Sequence, residues 1–325
     1  MSGNRIFLFL STPRSGTQWV AATLARIYGD VASVNHEPIG PAYRPREFLR
    51  AYGRLEDMLT VAEIRDHLAR VAEITTTRTY VELGWQNYAA IPLLVREFGS
   101  RVGVIQLARH PVTTAQSLVT QNFYEGSSRD DDHTRMGLLD PWCPGVAQKV
   151  YSDTWAKLSP YEKCLFYWTE IYLYAEELRK RLPGTDFLAT RMEDLVGGDT
   201  SHLKMLTSFL GLPFRDELTA AAGHIVDERR KQTDLKSDWR EILQHPTTTA
   251  LATRLGYDMA SIDERALRRR YRHPLRKRIR HSGLAHAASR LLRRVVPSSP
   301  TRSEGRTEGE RPHHNPASPT GHSQT

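Results

Sequence analysis

A parallel α/β sheet with flanking helices, followed by a helical C-terminal part and a disordered tail, is the fold class this sequence predicts. Three observations predict it. Ile6–Leu10 is a short continuous apolar run, and Val102–Leu107 is a second buried-strand candidate; both have the character of buried parallel strands. Each run leads into a turn-rich stretch and then into apolar residues at helical spacing. A third strand candidate, Thr185–Thr190, follows a long helical pattern. Strands alternating with helices argue for a parallel sheet whose ligands sit beyond the carboxyl ends of the strands.

The elements follow in order. After Ile6–Leu10, the stretch Ser11–Gly16 is a turn of small residues, and a helix from Thr17 stops near Gly29. Val31–Val34 reads as a short strand running into Asn35-His36-Glu37-Pro38, where Pro38 disfavours helix and leaves Glu37 at the end of an extended segment. Thr60–Ala72 reads as a helix opened by a Thr60/Glu63 capping box. Thr75–Leu83 is β-rich, and Ile91–Phe98 is a helix ended by Gly99. Beyond Val102–Leu107 come Arg109-His110-Pro111 and a helix over Thr113–Thr120. Residues 123–160 are polar and carry Asp130-Asp131-Asp132. A loop of that length is read as a lid or acceptor loop. Ser159–Leu182 predicts a long helix and Thr200–Leu210 another, closed by Gly211 and Pro213, with helical turns around Trp239 in 216–256. The domain reading is a catalytic α/β body over 1–264, a basic helical segment over 265–296 and a disordered tail over 297–325.

Composition narrows the function classes. The chain has 325 residues, enough for a sizeable core, with 39% hydrophobic and 25% charged residues. Its net charge of +8 is not spread evenly: residues 265–294 hold 12 Lys/Arg and no acid, whereas residues 1–264 hold 30 Lys/Arg against 34 Asp/Glu. Cys143 and Cys164 form neither a metal-ligand pattern nor a disulfide framework, so a reducing compartment and no metal are expected. No secretory signal is legible and no apolar run reaches the ~20 residues that span a bilayer, so the expected location is cytoplasmic. The basic segment adds an expected peripheral contact with an anionic membrane. No recognition motif accompanies it, so sequence-specific nucleic-acid binding is not expected. A non-catalytic polyanion binder acting through 265–294 is an alternative reading.

The stretch from Arg5 to Leu24 carries the chemistry. A strand, a small-residue turn and a helix bring free backbone N–H groups and the positive end of a helix dipole to one point, and Arg14 adds a full charge. A nucleoside-triphosphate loop reads G-x-x-x-x-G-K-(S/T), with Lys on the phosphates and a hydroxyl on magnesium. In that register this chain has Ser11, Gly16, Thr17 and Gln18. The cradle is present without its magnesium handle, which counts against the second alternative, a P-loop-type nucleotide kinase.

Two further segments complete a resemblance. Thr12-Pro13-Arg14-Ser15-Gly16-Thr17-Gln18-Trp19 is similar to the (Y/T)-P-(K/R)-S-G-T-x-W motif of the PAPS-dependent sulfotransferases. Arg109-His110-Pro111, with Ser117 eight residues after the arginine, resembles their R-(N/D)-P motif. Met192-Glu193-Asp194-Leu195 followed by Phe209-Leu210-Gly211-Leu212-Pro213 is a weaker third similarity. The resemblance covers residues 5–240 in order and spacing. It implies a P-loop-like parallel sheet and a sulfuryl donor, 3′-phosphoadenosine 5′-phosphosulfate (PAPS), which leaves as PAP without metal.

What the resemblance implies for individual residues is specific. Backbone N–H groups of Ser15, Gly16, Thr17 and Gln18, with the Ser15 and Thr17 hydroxyls, would hold the 5′-phosphosulfate. Arg14 would neutralise the leaving oxygen, Trp19 would stack on adenine, and Arg109 and Ser117 would bind the 3′-phosphate. Arg230 is a further phosphate candidate, in a partial counterpart of the family's late R-K-G. The K-T-H-L-P segment that supplies a histidine base in cytosolic members is absent, since Thr79–Tyr88 reads otherwise. Carbohydrate-modifying members instead place a Glu-Pro after the anion loop, which Glu37-Pro38 matches. Glu37 is therefore the first candidate base, with Glu82 and His36 behind it. The acceptor is read as a hydroxyl on a small molecule or glycan, with Tyr43, Trp85, Tyr88, Trp142 and His133 as candidates to line its site. Arg14 stands where many members have Lys, and Met192 where cytosolic members often have Tyr.

Overall fold

β1 (Ile6–Leu10) is the middle strand of a five-stranded parallel sheet. The computed structural model describes residues 4–124, 137–222, 238–260 and 262–271, all within the larger unit of the chain, Met1–His273. β2 (Ala32–His36), β3 (Thr79–Leu83), β4 (Val102–Ala108) and β5 (Asp186–Arg191) complete the sheet in the order β2–β3–β1–β4–β5. The chain runs outward from β1 on one side and returns to build β4 and β5 on the other. The loops after β1 and β4 are thereby brought side by side at the carboxyl edge, with Leu10 paired in register with Gln106. That crevice, where strand order reverses, is where an open α/β sheet binds its ligands.

The alternation of β1 sorts the core. Phe7 and Phe9 face α1 (Thr17–Tyr28) and its neighbours, packing with Val20, Leu24, Leu203 and Leu206. Ile6, Leu8 and Leu10 face the other layer with Ile91, Leu94, Tyr167 and Ile171. Every residue of β1 and β4 is buried, which is why β1 reads as an unbroken apolar run and β4 as an apolar run broken only by Gln106, rather than as alternating strands. The remaining helices used below are α2 (Ala62–Ile74), α3 (Ile91–Phe98), α4 (Pro111–Val119), α5 (Pro160–Arg181), α6 (Met192–Val196) and α7 (Thr200–Phe209). The boundaries of α3 and α7 follow the glycine stops read from sequence, with Gly99 at φ 59° and Gly211 at φ 66°. α5 opens on a full capping box, Ser159 with Glu162.

Three local expectations need correcting. The Thr60/Glu63 capping box does not form: α2 starts at Ala62 with Val61 as its cap, and the Thr60 hydroxyl donates instead to the Asp57 carbonyl at 2.7 Å, closing the preceding turn. β2 runs later than Val31–Val34, because its ladder to β3 carries it on to His36 opposite Leu83. Glu37 is not extended. Its N–H donates to the Leu83 carbonyl at 2.7 Å, and this last ladder bond holds it at φ 51°, in the left-handed region. Asp130–Asp132, His133, Arg230 and its neighbours, and residues 272–325 lie outside the described residues. The described start of the basic segment is helical over Glu264–Tyr271. No helix among the described residues is long and apolar enough to cross a membrane.

The described part of the long loop is tied to α5. Glu170, fully buried, accepts from the Ala147 N–H at 2.9 Å and the Gln148 Nε2 at 3.2 Å, and pairs with Arg50. Arg50 also reaches Glu177, and Arg46 pairs with Asp140. Burial works against the charged forms of Asp140 and Glu177, but the guanidinium beside each outweighs it and holds both carboxyls below the usual range. A depressed carboxyl stabilises the fold above its unfolded pKa, about 4, and loses that contribution as pH falls through the lower folded value. The urea midpoint should therefore drop steeply between about pH 5 and 2, and Asp140→Asn should flatten that slope. An unchanged slope would mean that the Arg46–Asp140 pair contributes nothing.

Candidate functional site

The anion loop is built from residues that cannot be exchanged freely. Ser11, Thr12 and Ser15 are fully buried. The Thr12 and Ser15 hydroxyls are 2.7 Å apart, the Ser15 N–H donates to the Thr12 carbonyl at 3.3 Å, and the Tyr172 hydroxyl lies 3.4 Å from Ser15 Oγ. The Ser15 hydroxyl is thus turned inward to brace the loop, not outward to an anion, which corrects the sequence expectation. Gly16 caps α1 at φ 92°, a conformation that costs an L side chain about 1–2 kcal/mol. A Cβ there would also lie 2.6 Å from Sδ of Met192. Glycine lets α6 close beneath the loop. The Val20 N–H makes the first intrahelical bond, to Gly16 at 3.1 Å, so the N–H groups of Thr17, Gln18 and Trp19 precede any intrahelical acceptor. Gln18 is exposed, while Trp19 is half-buried against the core behind α1.

The second motif meets the first. Arg14, at φ 67°, donates from Nε to Ser117 Oγ at 2.9 Å, and Arg109 donates from Nη1 to the Arg14 carbonyl at 2.6 Å. Three residues read as parts of two separate phosphate contacts therefore form one cationic cluster, with Arg14 just before α1, Arg109 just before α4 and Ser117 near the far end of α4. The N-terminus of α1, which follows Arg14 closely in the chain, is favourable to an anion. Burial pushes the His110 imidazole down, and the neutral ring accepts the Val112 N–H through Nδ1 at 3.2 Å, capping α4.

On the other side of α1 the candidate bases separate. His36 Nε2 lies 3.2 Å from the Thr17 hydroxyl and 3.9 Å from Glu37 Oε1. Thr17, His36 and Glu37 thus make a polar chain along the rim of the anion loop. Arg14 and Glu37 are both non-glycine residues at positive φ, and such strain persists where the surrounding structure over-determines it, often at functional sites.

Glu82 does not belong to this group. It pairs in register with Leu8, inside the sheet, and is fully buried. Tyr43 donates to its Oε1 at 2.6 Å, Tyr80 to its Oε2 at 2.9 Å, and His67 Nε2 is 2.9 Å from Oε2. Its side chain holds the core on the face opposite α1, so it is withdrawn as a base. Glu82→Ala, which strands three buried polar partners, should lower unfolding free energy by about 3–5 kcal/mol in urea titrations. An unchanged midpoint would contradict the structural role. Tyr43 and Tyr88 are likewise core residues rather than an exposed lining, whereas Trp142 is exposed.

Sequence reading missed the groups that hold the two motifs together. Tyr172 donates to the Leu107 carbonyl at 2.8 Å, and Trp168 donates from Nε1 to the Arg109 carbonyl at 2.9 Å. Both sit on α5, one turn apart, where their spacing reads only as a core stripe. Glu193 accepts from the His110 N–H at 2.9 Å, and its motif was legible but its role was not. Trp239 donates to Glu264 at 2.6 Å, a contact within the helical C-terminal part.

No family profile and no curated protein matches the chain. Solved structures similar to it include the sulfotransferase domain of the curacin biosynthetic pathway, 18% identical at a TM-score of 0.45, covering 79% of this chain and 98% of that one. The sulfotransferase domain of the Synechococcus PCC 7002 olefin synthase is 18% identical at a TM-score of 0.48, covering 79% and 96%. Mouse sulfotransferase SULT7A1, solved with PAP, is 17% identical at a TM-score of 0.42, covering 90% and 89%. At such low identity and superposition, the site's own residues carry the functional reading.

Proposed function

We propose that this chain is a PAPS-dependent sulfotransferase that moves a sulfuryl group from PAPS to an acceptor hydroxyl by in-line displacement. The observation that carries the reading is the convergence of Arg14, Arg109 and Ser117: two motifs separated by 95 residues meet through the Arg109–Arg14 bond. A nucleotide with phosphate at both 3′ and 5′ positions supplies the anions such a cluster would take. Their charge would be met by arginine and helix ends rather than by magnesium.

The residues divide the work. The first-turn N–H groups of α1 and the Thr17 hydroxyl would hold the 5′-phosphosulfate. The Arg14 guanidinium would stabilise charge developing on the bridging oxygen as its bond to sulfur breaks. Arg109 would hold the 3′-phosphate, and Trp19 would lie against adenine. Glu37 would take the proton from the acceptor hydroxyl as its oxygen bonds to sulfur, with His36 between it and Thr17. The Glu-Pro form of this base favours a sugar or other aliphatic hydroxyl as acceptor.

The test is transfer itself. Full-length protein incubated with sulfur-labelled PAPS and a panel of sugars, alcohols and phenols should pass label to at least one hydroxyl acceptor. Transfer of the γ-phosphate of ATP to that panel, with no movement of sulfur label, would replace the reading with a kinase.

A further inference from the structure

We propose that Glu193 is a positioning residue that sets Arg109 for the 3′-phosphate of the donor, a proposal that rests on the sulfotransferase reading. Arg109 lies just past the end of β4, so the sheet ladder no longer fixes its backbone. Pro111 follows two residues later and has no N–H with which to anchor the turn.

The Thr114 hydroxyl of α4 donates to the Arg109 carbonyl at 3.4 Å, and side chains from two other elements complete the anchor. The peptide unit joining Arg109 to His110 is bonded at both edges: its carbonyl accepts from Trp168 Nε1 at 2.9 Å, and its N–H donates to Glu193 Oε1 at 2.9 Å. A trans peptide carries these two groups on opposite edges of one plane, so partners on both sides fix that plane. The plane in turn fixes ψ of Arg109 and φ of His110, and with them the direction in which the Arg109 side chain leaves the turn.

The carboxylate is itself oriented. Its second oxygen accepts from the Tyr257 hydroxyl at 3.2 Å. The Tyr257 ring stands edge-on to His110 at 5.1 Å, with the Arg191 guanidinium 5.6 Å from its centroid. Glu193 thus touches the backbone and a tyrosine, and acts on an anion only through Arg109. It is solvent-exposed, so the effect expected of it is moderate.

The two phosphates of the donor separate this role from a general structural one. Calorimetry on the full chain should give tighter binding of PAP than of 5′-AMP, which lacks the 3′-phosphate. Glu193→Ala should weaken PAP by about threefold to tenfold and leave AMP unchanged, collapsing the preference. Glu193→Gln, which keeps a carbonyl oxygen for the His110 N–H, should recover most of it. Glu193→Asp, one methylene short, should behave like the alanine variant and provides the same test if that variant does not fold. Equal weakening of PAP and AMP, or full discrimination in both the Ala and Asp variants, would overturn the proposal alone. A parent protein that does not distinguish PAP from AMP would overturn the donor reading and this proposal with it.

Discussion

Glu37→Gln is expected to bind PAP as the parent does and to transfer sulfuryl groups roughly 10²- to 10⁴-fold more slowly, the usual contribution of a positioned general base. The substitution keeps side-chain size and leaves the backbone bond from Glu37 N–H to the Leu83 carbonyl in place. Loss of rate without loss of donor affinity is the signature required, because an interaction that matters only as the acceptor proton moves lowers kcat alone. Undiminished turnover would move the base to His36, whose Nε2 is 3.9 Å from Glu37 Oε1. It would not move it to Glu82, which is locked in the core by Tyr43, Tyr80 and His67.

Arg14→Ala is the second large effect, a fall in kcat of about 10²–10³ with a smaller loss of PAP affinity, measured by single-turnover transfer and calorimetry. The substitution removes the charge proposed to act on the leaving oxygen, and with it the Nε bond to Ser117 at 2.9 Å. The Arg14 backbone carbonyl, which receives Arg109, stays, so the 3′-phosphate half of the site should survive. Arg14→Lys should fall between the two: it restores a positive charge but not the planar fork that spans loop and helix. Loss of PAP affinity in Arg14→Ala with an unchanged single-turnover rate at saturating donor would instead make Arg14 a uniform binding residue.

How much of this was legible in sequence depends on the range of the contacts. The strand, turn and helix from Ile6 to Tyr28 were, because they are consecutive in the chain. So was the Arg109–Ser117 spacing, which one short turn and the helix after it span. Side-chain direction was not. Glu82 and Glu37 both read as carboxylates near a strand end, but register with Leu8 turns Glu82 into the core, and a positive φ turns Glu37 at the rim. The Ser15 hydroxyl read as an anion contact because one of its inward partners, Tyr172, is brought to it only by tertiary packing. Trp168, Tyr172 and Glu193 were unreadable for the same reason. Their partners lie 59 to 157 residues away, and nothing in local spacing marks which members of a helix stripe donate a hydrogen bond.

The most direct measurement is metal-free donor binding. Titrated into full-length protein in EDTA, PAP should bind in a single-site isotherm that magnesium leaves unchanged, while ATP with magnesium binds much more weakly. Tight binding of ATP–Mg²⁺ and none of PAP would contradict the phosphosulfate site at the start of α1.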